Sequence, residues 1–150
     1  MKLTRLVCCL VVFVCATFPQ GGARAQSARP LPSPVLVFTG QENYESGGKR
    51  WTRYRYAVDN QTAYPKELFA PAPALPPCGK NARASRTWVD FYEQSGKRLY
   101  GFCAISGPDG LGELWFALEA DAVPPSWVYI ELNDRQTSTK YKSNLAETTL

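Results

Sequence analysis

The sequence predicts an all-β fold, an antiparallel two-layer β-sandwich of about six or seven strands, with a small β-barrel as the alternative. Three observations lead there. Short segments rich in β-branched and aromatic residues recur along the chain, turn signals separate them every eight to twelve residues or so, and no segment has convincing helical periodicity.

The first residues are read as an export signal. Lys2 and Arg5 make a short basic start, residues 6–18 are an almost unbroken apolar run, and Ala23-Arg24-Ala25 is a small-x-small cleavage pattern. The run is too short for a membrane span, which needs roughly 18 to 20 apolar residues. Residues 1–25 are therefore expected to be a signal peptide and the mature protein to be secreted or periplasmic, with no transmembrane span. A lipid anchor is the competing reading of Cys8, Cys9 and Cys15. Against it, bulky Val7 and Val14 precede Cys8 and Cys15, where such processing prefers a small residue, and Cys9 comes too early.

Cleavage changes the composition. Loss of Lys2, Arg5 and Arg24 lowers the basic count from 17 to 14 against 13 acidic residues, so the net charge falls from +4 to +1. No basic tract interleaved with aromatics is left to bind nucleic acid. Of the five cysteines only Cys78 and Cys103 survive, and a single bridge between them is expected in an oxidising compartment. In the chain-entropy view such a loop closure contributes roughly 3 to 4 kcal/mol. About 125 residues remain, enough for one domain with a core.

Residues 26–34 are polar and proline-rich and read as a flexible leader. The domain is expected over 35–145. It opens with a short strand at 35–39, followed by a polar stretch and a turn at Ser46-Gly47-Gly48-Lys49. In the next segment, RWTRYRYAVDN, Thr52, Tyr54, Tyr56 and Val58 alternate with Arg53, Arg55 and Ala57, the pattern of a strand with one buried and one wet face. Asn60-Gln61-Thr62 fits a glycosylation acceptor, but Asn60 is read as a turn residue beside a bacterial style of signal. Prolines forbid a regular helix and any central strand from Tyr64 to Pro77, so this is a long loop anchored by Leu68, Phe69 and Leu75.

The central hairpin has RTWVDFY and RLYGFCAI as its arms and Ser95-Gly96 at its tip. Thr87, Val89 and Phe91 share one face; aromatics on both faces of the arms predict an interior strand pair. After a glycine-rich turn, LWFALEA places Leu114, Phe116 and Leu118 on one face. SWVYIELND opposes Val128, Ile130 and Leu132 to Trp127, Tyr129 and Glu131. A last short strand is expected over 140–145 with Tyr141 inward, and residues 146–150 as a tail.

The chemistry is narrowed by absence of a residue type. With no histidine in the chain, serine triads, histidine zinc sites and cysteine–histidine pairs are excluded. There is no CxxC, phosphate loop or dinucleotide fingerprint. Residues 107–113 have acidic oxygens without EF-hand spacing, and read as a turn rather than a metal site. Asp90 with Glu93, or Glu119 with Asp121, could pair for glycoside hydrolysis, but each is more simply an exposed strand-end carboxylate. The expectation is a non-enzyme without cofactor or metal. Four tryptophans and eight tyrosines are the better clue. Aromatic surface suits sugar rings or a protein partner. Trp88 and Trp115 are assigned to the core, while Trp51 and Trp127 with Arg53 and Arg55 are the candidate binding residues.

Cys78, Trp88 and Cys103 in that order resemble fibronectin-type and immunoglobulin-like sandwiches, in architecture only, since the spacing is far shorter than in those domains and no functional residue is transferred. The chain is also similar to periplasmic lysozyme inhibitors in size, β architecture and bridge count, and Ser46-Gly47-Gly48-Lys49 is similar to their serine-glycine loops. That resemblance implies a secreted hydrolase inhibitor using a loop as a plug, the alternative to a protein- or glycan-binding module. For the export reading, N-terminal sequencing of the exported protein is expected to begin at or near Gln26; a chain that still begins at Met1 would contradict it.

Overall fold

The computed structural model describes residues 30–76 and 84–148. Two antiparallel sheets face each other as a β-sandwich. The first contains β1 (Leu36–Ser46), β2 (Lys49–Val58) and β5 (Leu114–Glu119), in the order β1-β2-β5. The second contains β3 (Thr87–Glu93), β4 (Arg98–Phe102), β6 (Trp127–Asp134), β7 (Thr139–Lys142) and β8 (Ala146–Glu147). Its order is β4-β3-β6-β7, with β8 also paired to β6.

The register of β1 against β2 begins at a two-residue turn. Gly47 and Gly48 both have positive φ, 61° and 73°, the conformation that lets a right-twisted hairpin close in two residues and that glycine adopts without steric cost. Ser46 therefore faces Lys49, Tyr44 faces Trp51 and Glu42 faces Arg53. The register shifts between Phe38 and Gly40, a bulge that leaves Thr39 unpaired. Beyond it Phe38 faces Tyr56 and Leu36 faces Val58, so these two apolar residues look inward, Val37 between them is exposed, and the polar half keeps its own phase. β1 is thus about twice as long as the strand expected over 35–39, because β2 supplies a ladder for the polar residues too.

The inner faces meet in one aromatic cluster. Tyr56, Phe91 and Phe116 form a triangle across the sheets, with ring centroids 5.4, 5.6 and 5.8 Å apart. Phe38 packs edge-on to Tyr56 and Tyr54 stacks on Phe116. Each such pair adds about 0.5–1.5 kcal/mol beyond the area it buries. Val58, Val89, Leu114, Val128, Ile130 and Leu132 complete the interior, all buried, as the alternation in each strand predicts. Leu68 and Phe69, in a 3-10 turn over Lys66–Phe69, close one end of the core; Leu75 is only half-buried. Leu111 and Pro108 are buried within the 3-10 turn Pro108–Gly112.

Side-chain amides stitch the margins. Asn144 Oδ1 accepts from the Leu36 backbone N–H at 2.8 Å, and its Nδ2 donates to the Leu36 carbonyl at 3.0 Å, so one side chain stands in for a strand between the two sheets. Asn60 does the same for the leader, accepting from Val35 N and donating to the Ser33 carbonyl, both at 2.9 Å. The Tyr64 hydroxyl donates to the Pro32 carbonyl, and burial pushes that phenol up to about 12. Residues 30–34 are therefore fastened to the body, and the leader expected over 26–34 is fixed at its end.

Three further expectations are corrected. The central hairpin is not an interior pair: β3 is interior, but β4 is the edge of its sheet. Its aromatics divide between two faces: Tyr100 and Phe102 share the face of Phe91 and Val89 and reach across the seam to Trp115 of the other sheet, while Trp88 and Tyr92 lie on the outer face. The tail is not free at its start, since Ala146 pairs with Val128, Glu147 with Trp127, and Thr148 N donates to the Ser126 carbonyl. An unpaired half of β6 would leave backbone groups without partners, and β8 supplies them. Trp88 lies on the outer face of its sheet, half-buried under the Arg135 guanidinium at 3.8 Å. Cys103 is in a disulfide; the expected partner Cys78, like the signal peptide expected over residues 1–25, lies outside the described residues. Among the described residues no helix is long and apolar enough to cross a membrane.

One buried ion pair locks the end of β6. Asp134, only 2% exposed, accepts from Arg86 Nε at 2.7 Å and Nη2 at 2.5 Å, from Thr137 Oγ1 at 2.7 Å and from Gln136 N at 3.0 Å. Arg86 first, then Thr137 and the Gln136 amide, hold its carboxyl down to about 2 from 3.8. A lowered carboxyl gives stability that is complete above the unfolded value and lost as pH falls through the folded one. Between pH 5 and pH 2 the wild type should lose about 2 kcal/mol more than Asp134→Asn, as read by urea unfolding at both pH values. Equal losses would show that Asp134 gives no pH-dependent stability.

Candidate functional site

Strand parity divides the aromatic side chains into two sets. Because Thr52, Tyr54, Tyr56 and Val58 turn inward, Trp51, Arg53 and Arg55 must turn outward, and so must the residues paired with them. Those partners are Tyr44 and Glu42 on β1, and Glu119, Ala117 and Trp115 on β5. The outer face of the three-stranded sheet is therefore a continuous strip of aromatic and charged side chains.

Arg53 is the strut of this strip. Its guanidinium lies 4.8 Å from the centroid of Tyr44 and 4.6 Å from that of Trp115, while Nη1 donates to Glu42 Oε1 at 2.7 Å. Two aromatic faces and one carboxylate oxygen thus hold the guanidinium in place. Arg55 Nη2 donates to the same Glu42 oxygen at 2.7 Å but remains about half exposed. The hydrogen bond from Arg55, foremost, holds the Glu42 carboxyl below its ordinary value. At the other end Lys49 pairs with Glu119, which raises the lysine.

Trp115 joins the strip to the second sheet. Tyr100 stacks on it at 5.1 Å and 28°, and Phe102 meets it edge-on at 5.9 Å. These contacts close the seam between β4 and β5. They also build one wall of an open groove of about 600 Å³, lined by Tyr44, Trp51, Tyr100, Trp115, Ala117 and the turn residues Ser46, Gly47 and Lys49. Trp51 donates through Nε1 to the Ser46 carbonyl at 3.3 Å, which orients the indole along the groove. A smaller hollow of about 350 Å³ continues past Trp115 between Arg53, Arg55, Thr39 and Glu113.

Of the candidate residues, Trp51, Arg53 and Arg55 share this face. Trp127 is exposed, but on the outer face of the other sheet, opposite Glu147, so it does not join them. Sequence reasoning missed Tyr44, Glu42, Tyr100 and Trp115. Counting back from Gly47-Gly48 places Tyr44 opposite Trp51, and the alternation of Leu114, Phe116 and Leu118 turns Trp115 outward; both signals were present. The contribution of β4 had no sequence signal, because it depends on how the two sheets meet.

Three of the four carboxylates considered for acid–base chemistry are engaged elsewhere. Asp90 accepts from Arg98 Nε at 2.7 Å, in space that a side chain at Gly101 would fill. Glu93 pairs with Lys97, and Glu119 with Lys49. Among the described residues no group of three or more His, Cys, Asp or Glu side chains could hold a metal ion.

The two indoles on this face should behave differently. Trp115→Ala removes contacts to Tyr100, Phe102 and Arg53 and should cost about 2–4 kcal/mol in urea unfolding, whereas Trp51→Ala should cost about 1 kcal/mol or less. Equal losses would place Trp51 among the structural residues. The groove stands on this chain's own geometry: the chain matches no family model, no curated protein and no solved structure.

Proposed function

We propose that this chain is an exported, non-enzymatic binding module that takes a protein or a glycan into the groove between Trp51, Tyr44, Trp115 and Tyr100. Export follows from the basic, apolar and small-residue blocks of residues 1–25, and a single Cys78–Cys103 bridge suits the secreted or periplasmic compartment to which they direct the chain. One observation supports the binding reading above the others. Aromatic side chains line an open groove on a face whose opposite side already supplies the core. Rigid rings give large contact area at small entropic cost, and Arg55 adds directed donors at the margin.

A second reading has its own support. The tip Ser46-Gly47-Gly48-Lys49 is exposed at the end of a ten-pair ladder and forms one end of the groove. A rigid exposed tip can fill the active-site cleft of a hydrolase, as the similarity to lysozyme inhibitors implies.

Capture from extracellular or periplasmic extract onto immobilised protein separates the two. The binding module predicts that Trp51→Ala reduces capture by about tenfold or more with unchanged thermal unfolding. The inhibitor predicts that Ser46→Asp abolishes inhibition of a captured hydrolase while Trp51→Ala does not. Capture indifferent to both substitutions would overturn both.

A further inference from the structure

We infer that the occupant of the groove is a neutral oligosaccharide whose pyranose rings lie with their C–H faces on Trp51 and its neighbours. This rests on the binding reading above and deepens it to a ligand class.

The first support is the state of the rings. On the outer face of the five-stranded sheet Trp88, Tyr92 and Tyr129 are already covered by the protein's own groups, while Trp127 is exposed at the start of β6 opposite Glu147. Arg135 lies over Trp88 at 3.8 Å, Lys142 over Tyr129 at 3.9 Å, and Tyr92 stacks on Tyr129 at 5.2 Å. In the groove, Trp51 stacks on no ring and lies under no cation among the described residues. An indole face open to an aqueous groove is a platform for another flat apolar surface. A pyranose with equatorial hydroxyls offers one on each side; an axial hydroxyl interrupts it.

The second support is the charge pattern. Lys49 is paired with Glu119, and Arg53 and Arg55 share Glu42. Three cations against two carboxylates leave this face with little net charge. An acidic ligand would have to displace Glu42 or Glu119 from the cations it needs. A polyhydroxyl has no such conflict, since a hydroxyl both donates to carboxylate oxygens and accepts from ammonium or guanidinium groups. The groove's 600 Å³ also lies within the range of about 300–1,000 Å³ usual for small-ligand sites.

Titration of the purified protein with three soluble tetrasaccharides tests the inference, followed by calorimetry and tryptophan fluorescence. Cellotetraose is neutral with equatorial hydroxyls, mannotetraose is neutral with an axial hydroxyl on each ring, and tetragalacturonate is acidic. Cellotetraose should bind saturably and shift the fluorescence, more tightly than mannotetraose. Its affinity should change less than about twofold between low and high salt. Trp51→Ala should weaken it about tenfold or more, and Trp127→Ala should leave it unchanged. Tighter, salt-sensitive binding of tetragalacturonate, or no saturable binding of any neutral tetramer, would overturn the inference. In that event, protein capture that still depends on Trp51 would leave the groove reading standing with a protein as occupant, and capture indifferent to Trp51 would remove both.

Discussion

Gly47 and Gly48 decide which residues of β1 oppose which of β2, and the two faces of the first sheet depend on that register. A strand side chain has only two directions, so a slip of one residue would exchange core and surface along the whole hairpin. With the register as it is, Tyr54, Tyr56 and Val58 reach the interior, and Trp51, Arg53 and Arg55 reach water's side of the sheet. The bulge at Thr39 lets β1 satisfy two demands in sequence. Leu36 and Phe38 join the core, while Glu42 and Tyr44, further along, turn to the same outer face as the arginines.

The fold is held by burial and by a small number of specific polar bonds. The Tyr56, Phe91 and Phe116 triangle draws one ring from each of three strands and both sheets, so it couples the layers directly. Around it, Asn144, Asn60 and Asp134 each satisfy several backbone or side-chain groups at a margin where strand pairing stops. Buried polar groups left without partners cost about 1–3 kcal/mol each, so Asn144, which serves buried Leu36, and buried Asp134 matter out of proportion to their size. The outer face of the first sheet differs: its bonds, Glu42 to two arginines and Lys49 to Glu119, lie mostly in solvent and orient side chains more than they stabilise the fold.

Much of this was legible in the residues. Period-two alternation identified the buried sets of β2, β3, β5 and β6, because a half-buried strand imposes that pattern directly. The polar half of β1 was not legible, since Gln41, Glu42 and Asn43 have little intrinsic strand preference and are held by the ladder opposite. Nor was β8, a two-residue strand formed because β6 offers an open edge. Trp51, Arg53 and Arg55 were identified as a wet face, but the groove was not, since one wall comes from Tyr100 and Trp115, on strands that meet only across the seam. Trp88 and Trp115 were assigned to the core because a two-layer sandwich can bury them, although parity already turned both outward.

The register of the first hairpin is tested most directly by cross-strand nuclear Overhauser contacts in isotope-labelled protein. The account predicts an Hα–Hα contact between Asn43 and Thr52, ring contacts from Tyr44 to Arg53, and ring contacts from Trp115 to Tyr100. An Hα contact of Thr52 with Glu42 or Tyr44 instead would mean a slip of one residue. Tyr44 would then lie on the opposite face from Trp51, and the groove would not exist.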